Sequence, residues 1–306
     1  MDSPAPEYRR PFGRPRSPEV QRAIAALDPH CDYERIAQLL VVYEFPFDIV
    51  RALEVALFHT YGSQSIARLL DRTGEFRKRG QKRYDDTALL IQHFIEAGLD
   101  SDLGARAIAQ INHIHSHFQI PNDDYLFVLW TFIDFPIEWM REFGWRPFTE
   151  HECVAWFRFW QELGRRMGIA DIPADKPAFD TFVSNYEARE FVPNEASRNV
   201  VRATIDIMAG WFPSPFASVV EVAALSLVRP QLLHASGFKT PPAWFRTLVR
   251  TILKVRRVAK RFVSFENYPT TVASIPRRTY PGNAYTIESL GPEYASGEAR
   301  RSASTR

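Results

Sequence analysis

Cysteine is scarce in this chain. Two residues, Cys31 and Cys153, stand far apart among 306. They can build neither a disulfide framework nor a thiolate metal quartet. An excess of one charge is also missing: 38 Lys and Arg face 36 Asp and Glu, a net +2. Bulk charge therefore gives no reason to expect a nucleic-acid partner. Long apolar runs are absent. The purest, Tyr125 to Ile133, is bounded by Asp124 and Asp134, and the greasy stretch from Ile36 to Phe58 is broken by Glu44, Asp48, Arg51 and Glu54. A spanning helix needs about 20 mostly apolar residues, so both stretches read as buried core. The first residues, MDSPAPEYRRPFGRPRS, show no apolar signal segment. A cytoplasmic location is expected. No alternating strand series and no fixed repeat is visible.

What is present is helical periodicity with ample core material: 45% hydrophobic and 13% aromatic residues. Residues 1–18 hold five prolines and read as a disordered arm. Residues 19–265 read as one helical domain, and 266–306 as an irregular C-terminal tail able to wrap that domain. The stretch 85–97 carries Thr87, Leu90, Ile91, Phe94 and Ile95 on one stripe, with Gly98 as a stop. Asp85 and Asp86 then suit an N-cap and a first turn. Helices are expected from about 103 to 118 and over 125–133. Thr149-Glu-His-Glu152 is a capping box that opens a helix to Met167. Others are expected at about 176–189, 195–211, 215–228 and 242–262. The predicted fold class is all-α.

Three of the eight histidines lie between Ala105 and Phe118. Ile108, Ile111, His115 and Phe118 share one helix face, and that face is apolar. His113 and His117 share another. Three readings of His115 and its neighbours follow. His115 is a neutral, hydrogen-bonded core histidine; or it is the axial ligand of a haem iron in an apolar cavity; or His113 and His117 form an i, i+4 metal pair. The third lacks the glutamate of an H-E-x-x-H site, and no Glu-x-x-His pair occurs in the chain.

The ordered set Arg83-Tyr-Asp-Asp-Thr87, Asn112-His-Ile-His115, Ile120-Pro-Asn-Asp-Asp-Tyr-Leu126, Gly144-Trp-Arg-Pro147 and Trp160 to Ile169 resembles one family. It is the haem oxygenase group of the mycophenolic-acid pathway oxygenase and the latex-clearing proteins (rubber oxygenases), over about residues 35–265. The resemblance implies an all-helical fold around one b-type haem, with His115 as proximal iron ligand and Arg83 and Thr87 on the distal side. It implies dioxygen as co-substrate and attack on a carbon–carbon double bond of a hydrophobic, isoprenoid or lipid-like molecule. The chain departs from the rubber-cleaving pattern at Asp86, where those enzymes carry Lys. Their active-site Glu has no counterpart here, since Glu75 is out of register. Both departures point from rubber toward a smaller prenylated or unsaturated lipid-like substrate. The alternative is a non-catalytic helical carrier for such a ligand.

Physical roles fit these positions. A neutral imidazole at His115 would donate an electron pair, and its other nitrogen would need an acceptor. Arg83 carries a permanent charge that could stabilise negative charge developing on oxygen, although its run Arg77-Lys-Arg-Gly-Gln-Lys-Arg83 also reads as a solvated basic face. The Thr87 hydroxyl could donate to the same oxygen, or simply fill helix space. Phe94, Phe118, Trp130, Phe132 and Phe157 could line a dry pocket, or serve as plain core. Finally, 244–263 contains seven basic residues and no acid, with Leu248, Ile252, Val255 and Val258 on one face. It either packs on the domain with a solvated basic face, or makes peripheral contact with an anionic membrane, or touches nucleic acid, for which one helix without a further motif is weak support.

Overall fold

A computed structural model describes residues 12–13, 18–263 and 269–295. Among them lie thirteen α-helices and no β-strand: α1 (Glu19–Ala25), α2 (Tyr33–Leu39), α3 (Pro46–Thr60), α4 (Gln64–Thr73), α5 (Glu75–Ala97), α6 (Asp102–His115), α7 (Asn122–Glu142), α8 (Glu150–Arg166), α9 (Lys176–Glu190), α10 (Glu195–Ala209), α11 (Ala217–Leu227), α12 (Pro230–Ser236) and α13 (Ala243–Lys260). The all-α expectation holds. The proline-rich arm expected over 1–18 lies almost wholly outside the described residues.

The central pair is α3 against α7. Helix α7 is buried nearly all round, from Leu126 and Phe127 to Trp139 and Met140. It runs past the expected end at Ile133 and continues through Pro136 to Glu142. A proline inside a helix leaves the carbonyl four residues back without its partner. Here that carbonyl belongs to Phe132, and it accepts instead from the Trp156 indole of α8 at 3.0 Å. Helix α8 opens on the expected capping box, with Thr149 and Glu152 bonded reciprocally. Glu152 also meets Arg146, which reaches Glu44 on the π-helical turn Leu40–Glu44. The Gly-Trp-Arg-Pro motif is thus a clamp between α2, α7 and α8.

Other motif residues are clamps as well. Asn122 bonds both polar groups of Ala170's backbone. Asp124 accepts from Ser65 and Tyr186, both at 2.6 Å. Asn112 donates to the Arg166 carbonyl at the end of α8, which fixes the C-terminal turn of α6. At the other end of α6, Gly104 sits so close to α5 that a Cβ there would lie 1.9 Å from the Gly98 carbonyl oxygen. Helices α5 and α6 therefore pack as a tight hairpin.

Residues 269–295 form only short 3-10 turns, yet they lie against α5 and α6. Val272, Ile287, Leu290 and Ala295 are buried. Gln110, buried on α6, donates to the carbonyls of Leu290 and Ala295 at 2.7 and 3.1 Å. This segment is a strap across the helices that carry the candidate site.

Candidate functional site

Helix α5 begins at Glu75, well before the expected start at residue 85, and it kinks at Arg79, where φ is −140°. Asp85 and Asp86 are therefore neither N-cap nor first-turn acids. Both are buried in mid-helix, where each unpaired carboxylate would be costly, and both hold the strap. Asp85 accepts from the Thr279 backbone and hydroxyl at 2.9 and 2.6 Å. Asp86 accepts from Tyr280 at 2.5 Å, from the Gly291 N–H at 3.0 Å and from Lys82 at 2.7 Å. Lys82 in turn donates to the Gly291 carbonyl at 2.7 Å. Both backbone groups of Gly291 are thus gripped from α5. Gly291 has φ +110°, and a Cβ there would meet Ile114 at 2.6 Å. Only glycine lets the strap approach the residue preceding His115 this closely.

The basic run before Thr87 is solvated at Arg77 and Lys78 and half-buried beyond them. Arg79 pairs with Glu75 and Glu293, Arg77 with Asp71, and Lys82 serves the strap. Arg83 differs. It is half-buried, lies over the Phe76 ring at 5.0 Å, and makes no hydrogen bond or ion pair among the described residues. Its charge acts on His115, Tyr61 and Tyr294. Burial raises the Tyr61 hydroxyl pKa more than the Arg83 charge lowers it, up to about 12.

His115 is the last residue of α6. The expected helix to Phe118 stops three residues short, because the His117 and Phe118 N–H groups turn back to Ile114 and His115. Phe118 consequently leaves the stripe and packs on Tyr294 of the strap. The His115 ring lies 5.5 Å from Tyr125, in the first turn of α7. Its Nδ1 is buried and has no hydrogen-bond partner among the described residues. The acceptor expected beyond the ring is not there, and neither is the hydrogen bonding of a satisfied core histidine. Burial first, then the Arg83 charge, hold the imidazole pKa down to about 4. His115 is therefore neutral, with a lone pair available, at any physiological pH.

Thr87 is half-buried one turn beyond Arg83 on α5 and makes no hydrogen bond among the described residues. Arg83 and His115 stand on the two adjacent helices of one hairpin, and the Arg83 charge is felt at the imidazole. His113 and His117 stack edge to face at 4.8 Å, and the His117 Nδ1 meets the His113 carbonyl. No group of three His, Cys, Asp or Glu able to hold a metal ion occurs among the described residues. Of the five aromatics offered as pocket lining, Phe94 and Phe132 pack on Trp160. Trp130 packs on Phe127 and Phe135, and Phe157 is half-buried against the core. Only Phe118 lies at the His115 end. A surface cavity of about 270 Å³ opens between Leu99, Ile108, Asn112 and Arg166 and does not include His115.

Nothing in the local sequence marks His59. It is fully buried, with Nε2 on Glu187 at 2.7 Å and Nδ1 unpartnered. Tyr125 and Tyr294 were equally hidden, since their nearness to His115 depends on how α7 and the strap dock.

Fold and site together define an all-α protein with a neutral imidazole that feels a nearby positive charge, neither group hydrogen-bonded among the described residues. Residues 57–261 match the pattern described as "ER-bound oxygenase mpaB/B'/Rubber oxygenase, catalytic domain", and the chain belongs to this family. It is 33% identical over 194 residues to the ER-bound oxygenase mpaB of Penicillium roqueforti (strain FM164), covering 58% of this chain and 65% of the relative. It is 32% identical over 230 residues to the mpaB of Penicillium brevicompactum, covering 65% and 59%. The mpaB' of that species is 28% identical over 239 residues, covering 72% and 56%. The chain therefore spans less than two thirds of the length of these relatives. Among the described residues, no helix is long and apolar enough to cross a membrane.

Proposed function

We propose that this chain is a haem b-dependent oxygenase that uses dioxygen to attack a carbon–carbon double bond of a hydrophobic, isoprenoid or lipid-like molecule. The observation that carries this reading is the His115 nitrogen, buried and unpartnered on a neutral ring. A buried polar atom without a partner costs stability, and coordination to iron would remove that cost. Haem iron, when bound, supplies the binding and activation of dioxygen.

The chain's own residues do the rest. His115 would hold the iron through a neutral imidazole, which needs no deprotonation first. Arg83 keeps an unneutralised positive charge in a half-buried place, where charge developing on oxygen would feel it strongly. The Thr87 hydroxyl, uncommitted elsewhere, offers a second donor. Asp86 takes no part: its oxygens are bonded to the strap. The position filled by Lys in rubber-cleaving enzymes is thus given to architecture, which favours a smaller prenylated or unsaturated substrate over rubber.

Expression with haem supplied, followed by absorption spectroscopy and oxygen-electrode measurements on lipid extracts, tests the reading. A Soret band and substrate-dependent oxygen uptake are expected. A colourless protein contradicts it. A haem-loaded protein that consumes no oxygen with any lipid points instead to a carrier.

A further inference from the structure

Helix α13 is built inside out. It docks on the domain largely through cations, with Leu253 packed against the core among them. Arg256 and Lys260 reach the fully buried Asp48 at 2.8 and 3.1 Å. Arg250 pairs with Glu142. Arg257 donates to the Arg141 and Glu142 carbonyls at 3.1 and 3.0 Å, where the C-terminal end of α7 favours positive charge. Arg261, just past the helix, donates to the Trp145 carbonyl. On the side away from these contacts stand Trp244, Leu248, Ile252, Val255, Val258 and Phe262, spaced by four, four, three, three and four residues. They are 67%, 46%, 59%, 63%, 55% and 69% exposed. Phe216 and Val219, before and on the adjoining α11, are 54% and 52% exposed.

An amphipathic helix on a water-facing surface turns its apolar stripe inward. Here the stripe faces outward along the whole helix, and a continuous exposed row of this size marks an interaction surface rather than scattered apolar residues. We infer that this face rests on an anionic membrane surface, with α13 lying in the plane of the interface and its stripe at the acyl boundary.

Charge selects the partner. The segment from Trp244 to Val263 holds seven cations and no acid. Arg246 and Lys254 are exposed and carry no ion pair among the described residues. A second copy on the same face would bring two acid-free basic rows together. Lipid phosphates would instead answer them, each cation near the surface adding to the attraction. Attachment of this kind requires neither haem nor turnover.

The test is co-sedimentation of the full chain with phosphatidylcholine vesicles, with and without phosphatidylserine. Binding is expected to be at least ~10-fold stronger with phosphatidylserine and to weaken with added salt. The Ile252→Glu/Val255→Glu variant should bind at least ~10-fold more weakly, with an unchanged circular dichroism spectrum, since both side chains are exposed. Arg246→Glu/Lys254→Glu should reduce binding to the anionic vesicles alone. Three results overturn the inference: wild-type protein left in the supernatant with phosphatidylserine vesicles; an Ile252→Glu/Val255→Glu variant that binds like wild type; or a dimer in sedimentation velocity that this same variant dissolves, which would give the face to a second copy.

Discussion

His59 and His115 are both histidines with a buried nitrogen that bonds to nothing among the described residues, and their surroundings are opposite. His59 is enclosed by the rings of Phe127, Phe135 and Phe191, and its other nitrogen meets the Glu187 carboxylate. Burial lowers its pKa more than that carboxylate raises it. His115 ends a helix, touches one tyrosine, and faces a cation instead of an anion. A carboxylate holds an imidazole in place for structure. The Arg83 guanidinium packs over the Phe76 ring and keeps a charge that no acid neutralises among the described residues, and that charge is felt at the His115 imidazole. Burial alone does not separate a structural histidine from a ligand; the sign of the neighbouring charge and the number of committed nitrogens do.

The largest expected contrast is between deletions of the two rings. His115→Ala should abolish haem binding, read as absorbance per folded protein, with little change in the melting of the haem-free protein. His59→Ala should keep haem in the folded fraction and lower stability by about 3 kcal/mol, through the cavity and the stranded Glu187, as read by urea denaturation. Equal haem loss in both variants would erase the distinction. Next in size is Arg83→Ala, which should leave haem bound and slow oxygen-dependent turnover at least ~10-fold, the usual scale for removing one charge-stabilising donor. Normal turnover would take Arg83 out of the chemistry.

A smaller effect concerns pH. In haem-free protein, burial and Arg83 hold His115 near 4, against an ordinary value of 6.5. The unfolded chain therefore binds a proton in that window that the folded chain does not, so this part of the stability is complete above about 6.5 and is lost as pH falls toward about 4. The difference in melting temperature between wild type and His115→Gln should track this window. The same difference at every pH would show that His115 is not held neutral.

Much of this was legible in the sequence, for local reasons. The Thr149–Glu152 capping box and the helix spacing of α9 and α10 need only neighbours in the chain. Helical spacing singled out His115, and the family motifs paired it with Arg83 and Thr87. What was missed depended on distant partners. Asp85 and Asp86 read as first-turn acids because nothing local shows that Thr279, Tyr280 and Gly291 return to them. Helix α7 seemed to stop before Pro136 because the donor that replaces the lost hydrogen bond, Trp156, sits on another helix. The inverted docking of α13 was equally hidden: its stripe was visible, and which side met the domain was decided by Asp48 and Glu142.

The most direct measurement is chemical rescue of the proximal ligand. Haem binding to His115→Gly should be lost and should return when imidazole is added, with a Soret band like that of wild type. A His115→Gly protein that binds haem fully without imidazole, with an unchanged spectrum, would contradict the assignment of His115 as the iron ligand.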